Sequence, residues 1–313
     1  MKILYITNGG YPDYLSDCIL HGLYQLLGSD LTHVGIGGIC QYMYADLIPK
    51  NNLIHLYGRG FTVYGTLPNY INDNSDIEQK IKNKYFDYII YGSISRDKSY
   101  MDLVTSNYTP DKIAFIDGED VTSIEYLVDK PEFKNNIEYF NSILYFKREL
   151  INKNRKNILP ISFSIPKEKI LVNTDNVCKI RKNSLAKPNH PGVPNSGYIY
   201  TEEGEYYKDY QDSYYGLTYR KAGWDCMRHY EILGNFCVPH FTDIDKLPPN
   251  IMTNFPKDII KRTNILYDTD KHESDEYFEL LNYLFNYTKE KLTTIESAKY
   301  VIDSLVYKSY LKS

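Results

Sequence analysis

Short apolar runs alternate with charged stretches along the first half of the chain, and this alternation narrows the possible folds more than any other feature. Ile3-Leu4-Tyr5-Ile6 opens the series, and Asn52 to Tyr57, Tyr88-Ile89-Ile90-Tyr91, Ile113-Ala114-Phe115-Ile116 and Ser142 to Phe146 continue it. Continuous apolar runs of this length read as strands buried on both faces. The segments between them have helical length. Tyr14 to Leu27 carries apolar residues at helical spacing, and Asp76 to Lys84 is a charged stretch long enough for a helix. Strands alternating with helices predict a parallel sheet in an α/β domain. Ligand-contacting residues in such sheets gather at the carboxyl ends of the strands, so the loops after Ile6, Tyr91 and Ile116 are the places to look. The first of these loops holds Asn8-Gly9-Gly10-Tyr11-Pro12, a turn that breaks the opening strand.

At 313 residues the chain is long enough for two domains. Leu159 to Ile165 looks strand-like, and after it the character changes. Val172 to Gly204 is rich in Asn, Pro, Gly and Lys and shows little periodicity. A boundary is therefore expected near Pro160 to Pro166, with one domain over residues 1–160 and a second over 161–292. Order returns at Ser213. Tyr215 to Thr218 is a predicted strand, Asp225 to Asn235 a helix and Phe236 to Phe241 a strand. Helices are predicted over Pro256 to Arg262, Asp275 to Tyr287 and Thr293 to Tyr310. Residues 293–313 are expected to pack back on the first domain.

Composition excludes several classes. Lys and Arg total 36 against 40 Asp and Glu, a net charge of −4, so no overall basic field recruits nucleic acid or anionic lipid. Cys18, Cys40, Cys178, Cys226 and Cys237 are odd in number and form no C-x-x-C pair. That pattern predicts reduced thiols in a cytoplasmic protein, without a zinc site or disulfide scaffold. The apolar run at the N-terminus is too short for a signal peptide, and no window approaches a transmembrane segment. Tyr occurs 33 times against a single Trp. Such usage points first to an AT-biased genome, although tyrosine rings also cover the apolar faces of sugars.

The stretch from Gly216 to Asp245 carries the most chemistry. Asp225 is a good N-cap for a helix starting at Cys226. At 3.6 residues per turn Asp225, Arg228, Glu231 and Asn235 form one polar row, and Cys226, Met227, Tyr230, Leu233 and Gly234 form the apolar face. The start of the helix offers unpaired amides and a partial positive charge, with Lys221 and Arg228 close in sequence. Together these suit a diphosphate. Glu231 is placed to accept hydrogen bonds from vicinal ribose hydroxyls. The competing reading makes Arg228 and Glu231 an exposed ion pair on an amphipathic helix. No G-x-G-x-x-G or Walker A sequence is present.

Lys221-Ala-Gly-Trp-Asp-Cys-Met-Arg-His-Tyr-Glu231, followed by Val238-Pro239 and Asp243, resembles the donor-site signature of exostosin-like glycosyltransferases of the GT-B type. The resemblance is dense from Gly216 to Asp245 and looser elsewhere. It implies an α/β, GT-B-like fold in which two Rossmann-like domains face a cleft, the first on the acceptor side and the second binding a nucleotide sugar. By that resemblance Glu231 binds the ribose, Arg228 and Lys221 neutralise the diphosphate, and Trp224 and Asp225 belong to the same donor site. Asp117-Gly118-Glu119-Asp120 and Tyr145-Phe-Lys147-Arg148-Glu149 look like landmarks of the same group. One position departs from it: relatives carry a small residue, usually Gly, where this chain has Phe236, so the start of the following strand is expected to differ in shape.

Sugar transfer from such a donor passes through a transition state with oxocarbenium character. The protein must stabilise a departing diphosphate and orient an acceptor hydroxyl, whether of a glycan, a lipid-linked sugar or another molecule. Asp117, Glu119 and Asp120 are the candidate catalytic carboxylates, with Asp120 favoured; a turn of solvated acids is the plain alternative. Asp17 and His21 lie four residues apart on the first helix and could face the cleft, although an ordinary helical role suits His21 better. Asp243-Ile-Asp245 and Asp268-Thr-Asp270 have the D-x-D spacing that holds Mg²⁺ or Mn²⁺ in the GT-A fold. Chance triplets are common in a chain this acidic, so neither a divalent metal nor another cofactor is expected. The alternatives are a metal-dependent GT-A enzyme, a catalytically silent nucleotide-sugar-binding protein, and a DNA-base glycosyltransferase that uses Lys147 to Lys156 as a basic patch.

Overall fold

The structure is a computed structural model, and it describes residues 1–8, 12–36, 40–48, 53, 55–68, 75–134, 137–152, 155–175, 177, 181–187 and 199–311. Strands β1 (Ile3–Asn8), β2 (Leu31–Ile36), β3 (Tyr88–Tyr91), β4 (Ile113–Asp117), β5 (Leu144–Lys147) and β6 (Ile158–Pro160) form one sheet in the order β2-β1-β3-β4-β5-β6. Every pairing in it is parallel. Burial follows the two-residue period of a strand. Leu4, Ile6, Ile89, Tyr91, Ile113 and Phe115 pack into a core on one face. Ile3, Tyr5, Ile90, Ala114, Ile116 and Phe146 pack into a larger core on the other. Two-sided burial explains why these strands read as unbroken apolar runs.

Helix α1 (Tyr14–Leu27) follows β1, and the Asp13 carboxylate caps it by accepting from the Ser16 amide at 3.2 Å. Helices α2 (Ile77–Lys82) and α3 (Met101–Asn107) flank β3, and three short helices, α4 (Glu125–Val128), α5 (Pro131–Lys134) and α6 (Ile137–Asn141), lead into β5. A second parallel sheet has the order β7 (Asn183–Ala186), β8 (Ser213–Thr218), β9 (Val238–Phe241). Helices α7 (Glu203–Gln211), α8 (Met227–Gly234), α9 (Lys257–Asp268) and α10 (Asp275–Lys291) accompany it. The final helix, α11 (Thr294–Tyr310), lies against α1, where a Cβ on Gly22 would meet the Thr294 carbonyl oxygen at 2.0 Å. Two parallel sheets, both sending residues from their carboxyl ends to one pocket, make up the GT-B-like α/β fold that the sequence suggested.

Several local expectations differ from what formed. Of Asn52 to Tyr57, residues 52 and 54 lie outside the described residues; Leu53 is helical, and His55 and Leu56 turn into a 3₁₀ segment at Tyr57–Gly60, where Gly58, Arg59 and Gly60 have positive φ that no strand tolerates. The strand beside β1 is instead β2, whose Thr-His-Val-Gly centre gives only a weak apolar signal. Leu159 to Ile165 does not continue as one strand. Pro160 lacks an amide to extend the ladder, and Ile165 pairs with Thr293 instead. Gly9 to Tyr11 of the expected turn and Cys178 lie outside the described residues, as does the Cys40 side chain; Cys18, Cys226 and Cys237 are free thiols. Among the described residues, no helix is long and apolar enough to cross a membrane.

Candidate functional site

A cavity of about 270 Å³ opens at the carboxyl ends of both sheets. In the first sheet the chain leaves β1 for β2 on one side and then crosses to β3 on the other, which opens a crevice between the loops after β1 and β3. Pro12 and Asp13 follow β1, Arg96 follows β3, Gly118 to Asp120 follow β4, and Arg148 follows β5; all of them line the cavity. From the second sheet come Lys221 to Gly223 after β8, together with Arg228 and Glu231 of α8.

On the first side the charged groups already have hydrogen-bond partners. Asp13 accepts from Ser93 Oγ at 2.6 Å. Glu119 accepts from Arg96 Nε at 2.8 Å and from Ser95 Oγ at 2.9 Å. Burial opposes the Glu119 charge, but the Arg96 and Ser95 contacts outweigh it and lower the pKa. Arg148 is buried, donates to the Asp120 carboxylate and to the Gly118 carbonyl at 2.9 Å, and lies over the Phe163 ring. A Cβ on Gly223 would meet the side-chain tips of Asp120, Arg148 and Glu149 at 2.6 to 2.7 Å, so a larger residue there would displace this cluster.

Glu149 carries that approach. Its carboxylate accepts from the Trp224 amide at 3.0 Å and the Asp225 amide at 2.9 Å, which pins the loop before α8 to the end of β5. The Asp225 carboxylate accepts from the Phe163 amide at 2.7 Å and from the Tyr230 hydroxyl at 3.0 Å, and burial pushes its pKa up to about 6. These bonds occupy the expected N-cap; the capping residue of α8 is Cys226, whose side chain makes no capping bond. The first-turn amides are therefore not covered by a side-chain cap.

All eight residues of α8 are buried, so its polar row faces the protein interior and the cavity instead of solvent. Arg228 and Glu231 are not an exposed ion pair, and among the described residues no salt bridge joins them. Arg228 lies over the Tyr219 ring, and its buried Nε has no hydrogen-bond partner. Around it Cys226, Tyr206 and Tyr210 have pKa values raised by burial, which leaves them uncharged at neutral pH. Lys221 lines the same end of the cavity; burial and then the nearby Arg228 lower its pKa. Glu231 accepts from Thr62 Oγ1 on one oxygen and from the Tyr206 hydroxyl on the other, each at 2.6 Å, and burial raises its pKa.

The expected site residues thus separate into two groups. Lys221, Asp225, Arg228, Glu231, Glu119 and Asp120 line the cavity. Asp117 does not. It is fully buried and bonded to Lys147 Nζ at 3.0 Å and to the hydroxyls of Tyr126 and Tyr145, so it supports the turn that carries Glu119 and Asp120. Trp224 is buried outside the cavity lining, with Arg220 over its ring. Lys147 and Arg148 are buried as well, so of the cations in the expected basic patch Lys147 to Lys156 only Arg155 and Lys156 reach the surface among the described residues, and Lys153 lies outside them. Asp17 accepts from the Tyr64 hydroxyl at 2.7 Å and His21 contacts Thr294 and Glu168; neither lines the cavity. The D-x-D acids also stand away from it: Asp245 pairs with Lys261, and Asp243 accepts from the Arg220 amide. Asp13, Arg96 and Tyr206 line the cavity without having been singled out from sequence, and only Asp13 had a local signal, as a cap directly before a helical run.

No family model and no curated protein matches the chain. Solved structures do. The crystal structure of Anabaena Alr3699/HepE in complex with UDP-glucose superposes with a TM-score of 0.52 at 8% identity, covering 98% of this chain and 100% of that one. HepE in complex with UDP and glucose gives 0.51 at 9% identity, covering 98% and 99%. At such identity the likeness is one of fold, and it extends over nearly the whole of both chains.

Proposed function

We propose that this protein is a glycosyltransferase that moves a hexosyl or pentosyl group from a nucleotide-sugar donor to a hydroxyl acceptor, in the manner of the exostosin-like group. The observation that carries this reading is Arg228. Its guanidinium is buried, its Nε has no hydrogen-bond partner and no salt bridge joins it to a carboxylate among the described residues, so an anionic ligand would satisfy it. Lys221 and the uncapped first turn of α8 share that end of the cavity, and together they suit a diphosphate leaving group. Glu231 then receives the ribose hydroxyls. The fold shared with HepE, a protein solved with UDP-glucose, supports a uridine donor.

In this reading residues 1–160 hold the acceptor, residues 161–292 hold the donor, and residues 293–313 tie back to the first unit. The bond between the anomeric carbon and the diphosphate oxygen breaks, the acceptor oxygen bonds to that carbon, and its proton passes to a carboxylate. Asp120 is the proposed receiver, because its side chain, 47% exposed, is the most accessible of the lining carboxylates whose exposure is described. The work is placed in the cytoplasm, with no divalent metal.

Calorimetric titration of UDP-glucose tests the assignment. Arg228→Ala and Glu231→Ala are each expected to weaken binding by about tenfold or more, the loss of one charge-assisted contact. Circular dichroism would show the fold retained. Wild-type affinity in both variants would sink the site.

A further inference from the structure

The segment from Tyr57 to Leu67 reaches from the first side of the cavity to Glu231 on the second. Its backbone is unusual: Gly58, Arg59, Gly60, Thr62 and Gly65 all have positive φ. Glycine adopts that region freely, but a β-branched residue does so only where its surroundings over-determine it. Thr62, at φ 73°, is fully buried. Its amide donates to Glu203, its Oγ1 donates to Glu231 Oε1 at 2.6 Å, and the same Oγ1 lies 2.7 Å from the Tyr207 hydroxyl. The Tyr207 hydroxyl in turn donates to Glu203 Oε1 at 3.2 Å. Lys169 Nζ holds the other oxygen of Glu203 at 2.6 Å, and the Phe61 ring packs 5.6 Å from that of Tyr206.

The consequence falls on Glu231. Thr62 occupies one position on Oε1, and Tyr206, at 2.6 Å, occupies one on Oε2. A carboxylate cannot turn without breaking one of the two bonds, so its plane is set. A carboxylate has about four acceptor positions, so about one remains on each oxygen, and Glu231 lines the cavity. Two acceptor positions on one rigid group match two hydroxyls on adjacent carbons. We propose that Thr62 is a positioning residue for the donor: with Tyr206 it locks the Glu231 carboxylate in the orientation that receives the 2′ and 3′ hydroxyls of a ribonucleoside diphosphate. The first half of the chain thereby takes part in selecting ribose, although Glu231 itself stands on α8. This rests on the donor reading given above.

The test is the ratio of dissociation constants for 2′-deoxy-UDP and UDP, measured by calorimetry on the full chain. Wild type is expected to favour UDP by about tenfold or more, as a site built to bond a hydroxyl rejects the analogue lacking it. Thr62→Val, isosteric but without the hydroxyl, is expected to reduce the ratio to about threefold or less, and Thr62→Ser to restore it. A general loss of stability weakens both nucleotides alike and leaves the ratio in place. Tyr206→Phe reads the same effect from the other oxygen if Thr62→Val does not fold. An undiminished ratio in either variant overturns the proposal, as does wild type that binds both nucleotides equally. Wild type that binds neither overturns the donor reading along with it.

Discussion

Asp17 shows how burial alone can make a side chain sensitive to pH. The residue is 4% exposed on α1, and burial pushes its pKa from 3.8 up to about 7, with the Tyr64 hydroxyl acting in the other direction. The sign follows from proton binding. Between about pH 4 and 7 the native state keeps a proton that the unfolded chain releases, so this group's contribution to stability falls as pH rises through that window. Asp17→Asn cannot ionise, yet its carbonyl can still accept from Tyr64. Relative to wild type, the variant is expected to gain about 2–4 kcal/mol between pH 5 and pH 8, since each tenfold change in proton affinity is worth roughly 1.4 kcal/mol. Urea unfolding at the two pH values measures the difference, and a flat difference would show that Asp17 titrates like an exposed acid.

At the scale of elements, the close contact between α1 and α11 depends on Gly22. A Cβ there would meet the Thr294 carbonyl oxygen at 2.0 Å and the Ala298 Cβ at 2.7 Å. Backbone cannot yield as a side-chain tip can, so Gly22→Ala is expected to cost about 1–3 kcal/mol by overpacking. The gain in helix propensity offsets about 1 kcal/mol of this. A denaturant titration in which the alanine variant proves as stable as wild type would show that the helices are not held at this distance. The end of α8 shows the opposite compromise. Cys237 and Phe236 donate to the carbonyls of Ile232 and Leu233, the paired bonds of a Schellman turn, and Phe236 takes the left-handed position at φ 54°. Glycine suits that position better. Phe236 instead packs its buried ring 4.8 Å from Phe285, and that burial outweighs the backbone cost.

At the scale of the molecule, the two sheets bring unlike charge environments to one cavity. The first side presents acids already bonded to Arg96 and Arg148; the second presents Lys221 and Arg228 at the start of α8. Arg148 and Glu149 join the two sides by bonding the main chain at Trp224 and Asp225. In the proposed reading, cations supplied by side chains take the place that a divalent ion fills where D-x-D acids line a site. Transfer from a nucleotide sugar is therefore expected to be unchanged by EDTA and by the double variant Asp243→Asn, Asp245→Asn. A loss of about tenfold or more on chelation, restored by Mn²⁺, would reverse that view.

The parallel α/β character was legible in the residue order, because strands buried on both faces must be continuously apolar, and so were the bounds of α1, because an amphipathic helix repeats at 3.6. Residue order also marked Lys221, Arg228 and Glu231, through spacing and a family resemblance. Periodicity could not say whether their row met solvent or a cavity, since a polar stripe looks the same in both places. Folding settled that by burying all of α8, and it left Asp117 and Trp224 outside the cavity lining, Asp117 with its carboxylate bonded to Lys147, Tyr126 and Tyr145. Thr62 carried no signal at all. Its role depends on a left-handed backbone and on Glu231, 169 positions away in the chain, and only the folded chain brings them together.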